Sequence, residues 1–319
     1  MSDATISEVL EGVNFASCIF NASGCWCTTE KELKDLGRSQ SGAVVAKSGT
    51  VNYRKGNPEP RLHTTDPHGS INSMGVPNLG YKFYTEFGNT VTNKPFIQSL
   101  IPFSHDDLRL MLTDINSNVI NGPRMVEVNL SCPNLIKKSI VGLNFELFEE
   151  YVQIMQELDT PNLVIGIKLP PYYQNHEFDT VSDIVLRYPK IRFLTCINSV
   201  VNGLIIDVEN EQTTIHPKNG YGGVGGIYCR PTALANVNQF YRRVGDKVAI
   251  IGCGGVENGT EVFAHILAGA TLVEVGTQLM KDGPGLFERL NVELEALMTI
   301  KDYKKLSDFR GKLKTMEHV

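Results

Sequence analysis

Eight short apolar runs recur along the chain, the later ones separated by segments with helical spacing, and this alternation restricts the fold more than any other feature. The runs cover residues 18–21, 43–47, 95–100, 125–130, 163–168, 193–198, 248–252 and 271–276. They are continuous rather than alternating, as suits parallel strands covered on both faces. Helix candidates lie between the later runs at 144–158, 180–188, 230–244, 259–268 and 285–299. Eight strand candidates in serial alternation with helices predict an α/β fold, a (β/α)8 TIM barrel rather than an open doubly wound sheet. Such barrels routinely reach this length as one domain, so residues 1–319 are expected to form a single unit.

Two stretches break the alternation. Residues 50–93 are rich in Gly, Pro and Asn and poor in helix signals, and residues 201–228 mix short β-like runs with glycine. Loops this long in a compact domain usually bind ligands or act as lids, which predicts long inserted loops over the carboxyl-terminal face of the barrel. Acids and bases are interleaved at a net charge of -5, with no basic run suited to nucleic acid or an anionic membrane surface. The first dozen residues lack the apolar core of a signal peptide, and no apolar run approaches the ~20 residues needed to span a bilayer. A soluble, cytoplasmic protein is expected. The 7 cysteines are scattered and odd in number, unlike a disulfide framework. Cys25 and Cys27 are spaced too closely for a C-x-x-C pair and lack a second ligand pair, so no metal site is expected.

A barrel of this kind builds its active site at the carboxyl ends of the strands. Here those ends carry polar residues in turn: Asn21-Ala-Ser-Gly24, Lys47-Ser48, Asn129 with Cys132 just beyond, Lys168, Asn198-Ser199, Gly252-Cys-Gly-Gly255 and Gly276-Thr277. One glycine turn alone is unremarkable. Glycines at the last two strand ends, with Gly222-Gly-Val-Gly-Gly226 as a further source of N–H donors, favour a phosphate-bearing cofactor. A lysine at the end of an apolar strand either snorkels to the rim or meets an anion. On the second alternative, Lys47 or Lys168 stabilises negative charge on a reduced flavin ring. The amides of Asn72, Asn129, Asn134 and Asn198 can together read a planar heterocycle with carbonyl, N–H and carboxylate groups, although any one asparagine is more often a turn residue. Cys132, set between Asn129 and Asn134 near two strand-end lysines, is the candidate base, since a thiolate is the reactive form and local charge sets its availability.

In these motifs the chain resembles the dihydroorotate dehydrogenases, specifically their soluble, fumarate-using class 1A. The resemblance runs through Asn21-Ala-Ser-Gly24, Lys47-Ser48, Gly56-Asn-Pro-Glu-Pro-Arg61, Gly69-Ser-Ile-Asn-Ser-Met-Gly75, Asn129-Leu-Ser-Cys-Pro-Asn134 and Lys168-Leu-Pro-Pro-Tyr172. It continues in Asn198-Ser199, Lys218-Asn-Gly-Tyr-Gly-Gly-Val-Gly-Gly226, Pro231-Thr-Ala-Leu-Ala-Asn236, Gly252-Cys-Gly-Gly255 and Gly276-Thr277. It implies an FMN enzyme that oxidises dihydroorotate to orotate, with Cys132 taking the C5 proton, C6 hydride passing to flavin N5, and fumarate reoxidising the cofactor. By motif position it puts Lys47, Asn72, Met74, Gly75, Val76, Asn129, Asn134, Asn198 and Ser199 on the substrate. It puts Ala22, Ser23, Gly24, Lys47, Ser48, Asn129, Lys168, Ile197, Gly226, Gly254, Gly255, Gly276 and Thr277 on FMN, and it implies a homodimer. The chain departs from the family at 135–142, at Val76 where leucine is usual, and at Gln98-Ser-Leu-Ile-Pro102. A related flavin dehydrogenase with another dihydropyrimidine or acceptor is the alternative, with a diverged barrel kept as a binding protein the remaining one.

Overall fold

The structure, a computed structural model, describes residues 4–65, 69–120, 122–131 and 140–316. Eight parallel strands form the barrel: β1 Ile19–Asn21, β2 Val44–Val45, β3 Phe96–Leu100, β4 Arg124–Asn129, β5 Leu163–Leu169, β6 Ile191–Cys196, β7 Ala249–Cys253 and β8 Leu272–Val275. Each of the eight expected runs contains or overlaps one of them. Ladders join them in the order β1-β8-β7-β6-β5-β4-β3-β2. At the remaining seam, between β1 and β2, a side chain replaces the ladder. Asn21 Nδ2 donates to the Val45 carbonyl at 2.8 Å, and the Val45 N–H donates to Asn21 Oδ1 at 2.9 Å.

The helices are α1 Glu30–Arg38, α2 Tyr81–Gly88, α3 His105–Asn118, α4 Phe145–Glu157, α5 Asn175–Arg187, α6 Arg230–Val244, α7 Gly259–Ala268, α8 Thr277–Asp282 and α9 Leu286–Ile300. Several start where the sequence supplies a cap. Thr29 with Glu32 and Asn258 with Glu261 form reciprocal capping boxes, and Ser104 and Asn144 each accept an N–H of the first turn. Helix α5 begins five residues before the expected 180, because Glu177 Oε2 accepts the N–H groups of Tyr173 and Gln174 at 2.8 Å. Helix α2 corrects the reading of 50–93 as poor in helix. It has no side-chain cap, and it is held by tertiary contacts instead: Tyr81, Tyr84 and Phe87 are buried, and Gln98 Nε2 on β3 donates to the Tyr81 carbonyl and Thr85 Oγ1. That contact also accounts for Gln98, one of the departures from the family pattern, as a structural tie.

The two inserted stretches do not stay separate. Strands Leu62–Thr65 and Gly69–Asn72 from the first pair with Gly222–Gly226 and Val200–Gly203 from the second in a four-stranded antiparallel sheet. Its register sets Gly223 opposite Asn72 and Gly226 opposite Gly69. Among the described residues, no helix is long and apolar enough to cross a membrane.

Candidate active site

The strand ends and the antiparallel sheet enclose one cleft of about 1200 Å³, open mouth included. Of the residues expected to bind ligand, Ala22, Ser23, Gly24, Lys47, Ser48, Asn72, Met74, Val76, Asn129, Lys168, Ile197, Asn198, Ser199, Gly226, Gly254, Gly255, Gly276 and Thr277 all line it. Gly75 does not. It stands in a left-handed turn at φ 70°, where a Cβ would lie 2.3 Å from Asn57 Oδ1, so its part is to set the bend that brings Met74 and Val76 to the wall. Cys132 and Asn134 lie outside the described residues.

The residue before Cys132 is well anchored. Ser131 Oγ donates to Asn129 Oδ1 at 2.8 Å, and Asn198 Nδ2 donates to Ser131 Oγ at 2.8 Å. On the far side of the segment that carries Cys132, the Gly142 N–H donates to the Leu130 carbonyl, and the Tyr172 hydroxyl donates to the Gly142 carbonyl at 2.6 Å. Asn129 also donates to Ser48 Oγ at 3.2 Å, and Asn72 to the Gly223 carbonyl at 3.3 Å. Asn72, Asn129 and Asn198 are therefore more than turn residues. The three that are described converge on one wall.

At the other wall the glycines are fixed from behind. His265 on α7 lies fully buried with Nε2 3.0 Å from the Gly254 carbonyl, and Arg230 Nε donates to the Gly255 carbonyl at 2.6 Å. A carbonyl only accepts, so Nε2 carries the proton and Nδ1, which has no partner, is bare. Burial pulls the His265 pKa down from 6.5 to about 4, which keeps the ring neutral. Gly255 has φ 73° and would place a Cβ 2.3 Å from Arg230 Cβ, so no side chain fits there. Nearby, Ser70 Oγ and Thr277 Oγ1 pair at 2.9 Å, and Gln278 Oε1 is buried without a partner.

Beneath the cleft is a charged cluster. Lys168 Nζ on β5 is 2.6 Å from Glu274 Oε2 on β8, with Glu127 on β4 beside them. Burial pulls the Lys168 ammonium down, but Cys253 and the carboxylates of Glu127 and Glu274 outweigh that and hold it above its ordinary value. Burial, then Glu127, push the Glu274 carboxyl above the usual carboxylate range. Lys168 thus does not snorkel to the rim: it lines the cleft while buried, and the anion it meets is one of the protein's own. The sequence reading passed over Glu127 and Glu274. Their signal was a lone acid inside an otherwise apolar strand run, where a charge needs a partner. It also passed over Cys25, Leu62, Ser70, Cys229, Cys253, Val256, Glu257, Gln278 and Met280, which line the cleft as well.

The dihydroorotate dehydrogenase family profile matches residues 5–298. A Trypanosoma cruzi (strain CL Brener) protein named dihydroorotate dehydrogenase (fumarate) is 45% identical over 306 residues, covering 95% of this chain and 96% of its own. A Trypanosoma brucei brucei protein of the same name is 45% identical over 309 residues, with 96% and 97% covered. A Streptococcus agalactiae protein named putative dihydroorotate dehydrogenase A (fumarate) is 42% identical over 314 residues, with 97% and 98% covered. Among solved structures, ligand-free DHODH from Eimeria tenella superposes with a TM-score of 0.81 at 19% identity, covering 96% of this chain and 91% of that one. At that identity the superposition speaks for the barrel fold.

Proposed function

The chain belongs to the dihydroorotate dehydrogenase family, and from that premise we propose that it oxidises (S)-dihydroorotate to orotate, with FMN as resident cofactor and fumarate as final acceptor. The observation that carries the reading is the convergence of Lys47, Asn72, Asn129, Asn198 and Ser199, from separate strand ends and the inserted sheet, on one cleft beside the glycine loops.

The residues present fit FMN. The backbone at Gly225, Gly226, Gly254, Gly255 and Gly276 is bare of side chains, and the carbonyls of Gly254 and Gly255 are already taken from behind. Such a cradle, with the Ser70 and Thr277 hydroxyls beside it, suits a phosphate. Ala22, Ser23, Gly24, Ser48, Ile197 and Lys168 would hold the ring. When bound, FMN would supply a hydride acceptor for C6 of the substrate and a hydride donor for fumarate.

The protein's own residues handle the proton and the geometry. Cys132, as thiolate, takes the proton from C5, so that loss of C5–H and C6–H together leaves the C5=C6 bond of orotate. With fumarate in place the same thiol returns a proton, completing succinate. Asn72, Asn129, Asn134 and Asn198 offer amide donors and acceptors to the ring imide and carboxylate, and Ser199 adds a hydroxyl. Lys47 brings positive charge to the carboxylate. Met74 and Val76 form the apolar wall and Gly75 the bend between them. The family resemblance also implies a cytoplasmic homodimer.

The test is to purify the protein, record a flavin spectrum, and add dihydroorotate without oxygen. Bleaching that fumarate reverses is expected. A flavin-loaded protein that does not bleach refutes the substrate, and bleaching that fumarate leaves in place removes fumarate as acceptor.

A further inference from the structure

The turn that carries Met74 and Val76 to the cleft wall has its carbonyls bound one after another. The segment before it takes three: Asn57 Nδ2 donates to Ser73 at 2.8 Å, the Asn57 N–H to Met74 at 2.9 Å, and Arg54 Nη2 to Gly75 at 3.4 Å. Asn78 Nδ2 donates to the Val76 carbonyl at 3.0 Å. The backbone here is strained, with Gly75 at φ 70° and Val76, a β-branched residue, at φ 59°. Such a conformation persists only where its surroundings over-determine it, and these bonds do so. Asn57 contributes most. It holds two of the carbonyls, and its side chain lies so close to Gly75 that a Cβ there would meet Oδ1 at 2.3 Å.

The N–H groups are the other half of the same peptides. In a trans peptide the N–H points opposite to the C=O. Binding the carbonyls of Ser73, Met74 and Gly75 from behind therefore turns the N–H groups of Met74, Gly75 and Val76 away from residues 54–57. None of these three N–H groups has an acceptor among the described residues, although Gly75 and Val76 are buried. Buried N–H groups are rarely left unpaired. Three in succession, next to side chains that line the cleft together with Lys47, suit an anion. Dihydroorotate and fumarate have one such group in common, a carboxylate. We propose that Asn57, which itself does not line the cleft, is a positioning residue that sets the affinity for the substrate carboxylate by holding these peptides with their N–H groups towards it. This rests on the substrate reading above.

The experiment compares FMN-loaded wild type with Asn57→Ala. Orotate is titrated against the flavin spectrum to give its Kd, and reduction by dihydroorotate is followed by rapid mixing without oxygen. Asn57→Ala should raise the orotate Kd and the half-saturating dihydroorotate concentration together by about five- to tenfold, the scale of one weakened hydrogen bond to a charged group. The limiting rate of reduction and the affinity for FMN should stay within about threefold of wild type, the pattern of lost binding without lost chemistry. The KM for fumarate should rise with the other two, because its carboxylate meets the same N–H groups. If Asn57→Ala does not fold, Asn57→Ser, whose side chain is too short to reach the Ser73 carbonyl, should give the same rise. Wild-type affinity for orotate in the variant overturns the inference. So does a limiting rate or FMN affinity that falls in step with orotate affinity, which leaves Asn57 a purely structural residue. Wild-type protein whose flavin neither bleaches with dihydroorotate nor responds to orotate refutes the substrate reading itself, and this inference with it.

Discussion

The barrel seam at Asn21 offers a direct test of how the fold is closed. Replacing Asn21 with leucine keeps the size of the side chain and removes both hydrogen bonds to Val45, at 2.8 and 2.9 Å. Val45 uses neither group elsewhere: strand β2 pairs with β3 through the N–H groups of Val44 and Ala46, which donate to the carbonyls of Pro95 and Ile97. Both Asn21 and Val45 are fully buried, so water cannot substitute. Leaving a buried N–H and a buried C=O unpaired costs about 1–3 kcal/mol each, roughly 4 kcal/mol together. Burying leucine in place of an amide recovers about 1–2 kcal/mol of that. The expected net loss is about 2–3 kcal/mol. At a urea slope of about 3 kcal/mol per molar, the unfolding midpoint should fall by about 0.8 M. Circular dichroism of the urea transition is the assay, with FMN uptake as a second reading, because residues 22–24 follow Asn21 directly into the cleft. A midpoint shift below about 0.2 M would show that the contact from the Gly42 N–H to the Ile19 carbonyl, with the packing around it, closes the barrel without the amide.

Two further outcomes follow from the site. Cys132→Ala should slow flavin reduction by dihydroorotate at least about 100-fold while FMN stays bound, the usual scale for removing a general base; a near-wild-type rate in rapid-mixing reduction would refute the assigned base. His265 binds its proton less readily folded, at about 4, than unfolded, at 6.5. The unfolded state therefore holds more protons across that window, so stability is lost as pH falls from 6.5 towards 4, by up to about 3 kcal/mol. Glu274, pushed upward, acts in the opposite sense, so the measurement is the difference in unfolding free energy between wild type and His265→Gln across the window. A difference that does not change with pH would disprove the neutral, buried histidine.

Much of the site was legible because its residues sit at strand ends. Lys47, Asn129, Lys168, Asn198 and Gly276 each close an apolar run, and in a parallel barrel all such ends lie on one face. The eight strand candidates needed nothing more than buried, continuous apolar runs to be found, and α6 and α7 were recoverable to the residue because periodicity agreed with Pro231 and Gly245 at the ends of α6 and with Asn258 and Gly269 at the ends of α7. Helix α2 was not, because its stability comes from Gln98 and buried aromatic packing rather than from a cap or local propensity.

What the chain by itself determined, then, was the alternation, the strand ends and the chemistry they carry, since these depend on local composition and on a fixed relation between strand direction and barrel face. What only the tertiary structure decided were pairings between distant segments: the joining of the two inserts with Gly223 opposite Asn72, the closure of the seam by Asn21, and the meeting of Lys168 with Glu274, 106 positions apart. A strand's sequence states that an acid is buried in it. Which cation it meets depends on the register of every strand between them, and that is a property of the closed barrel.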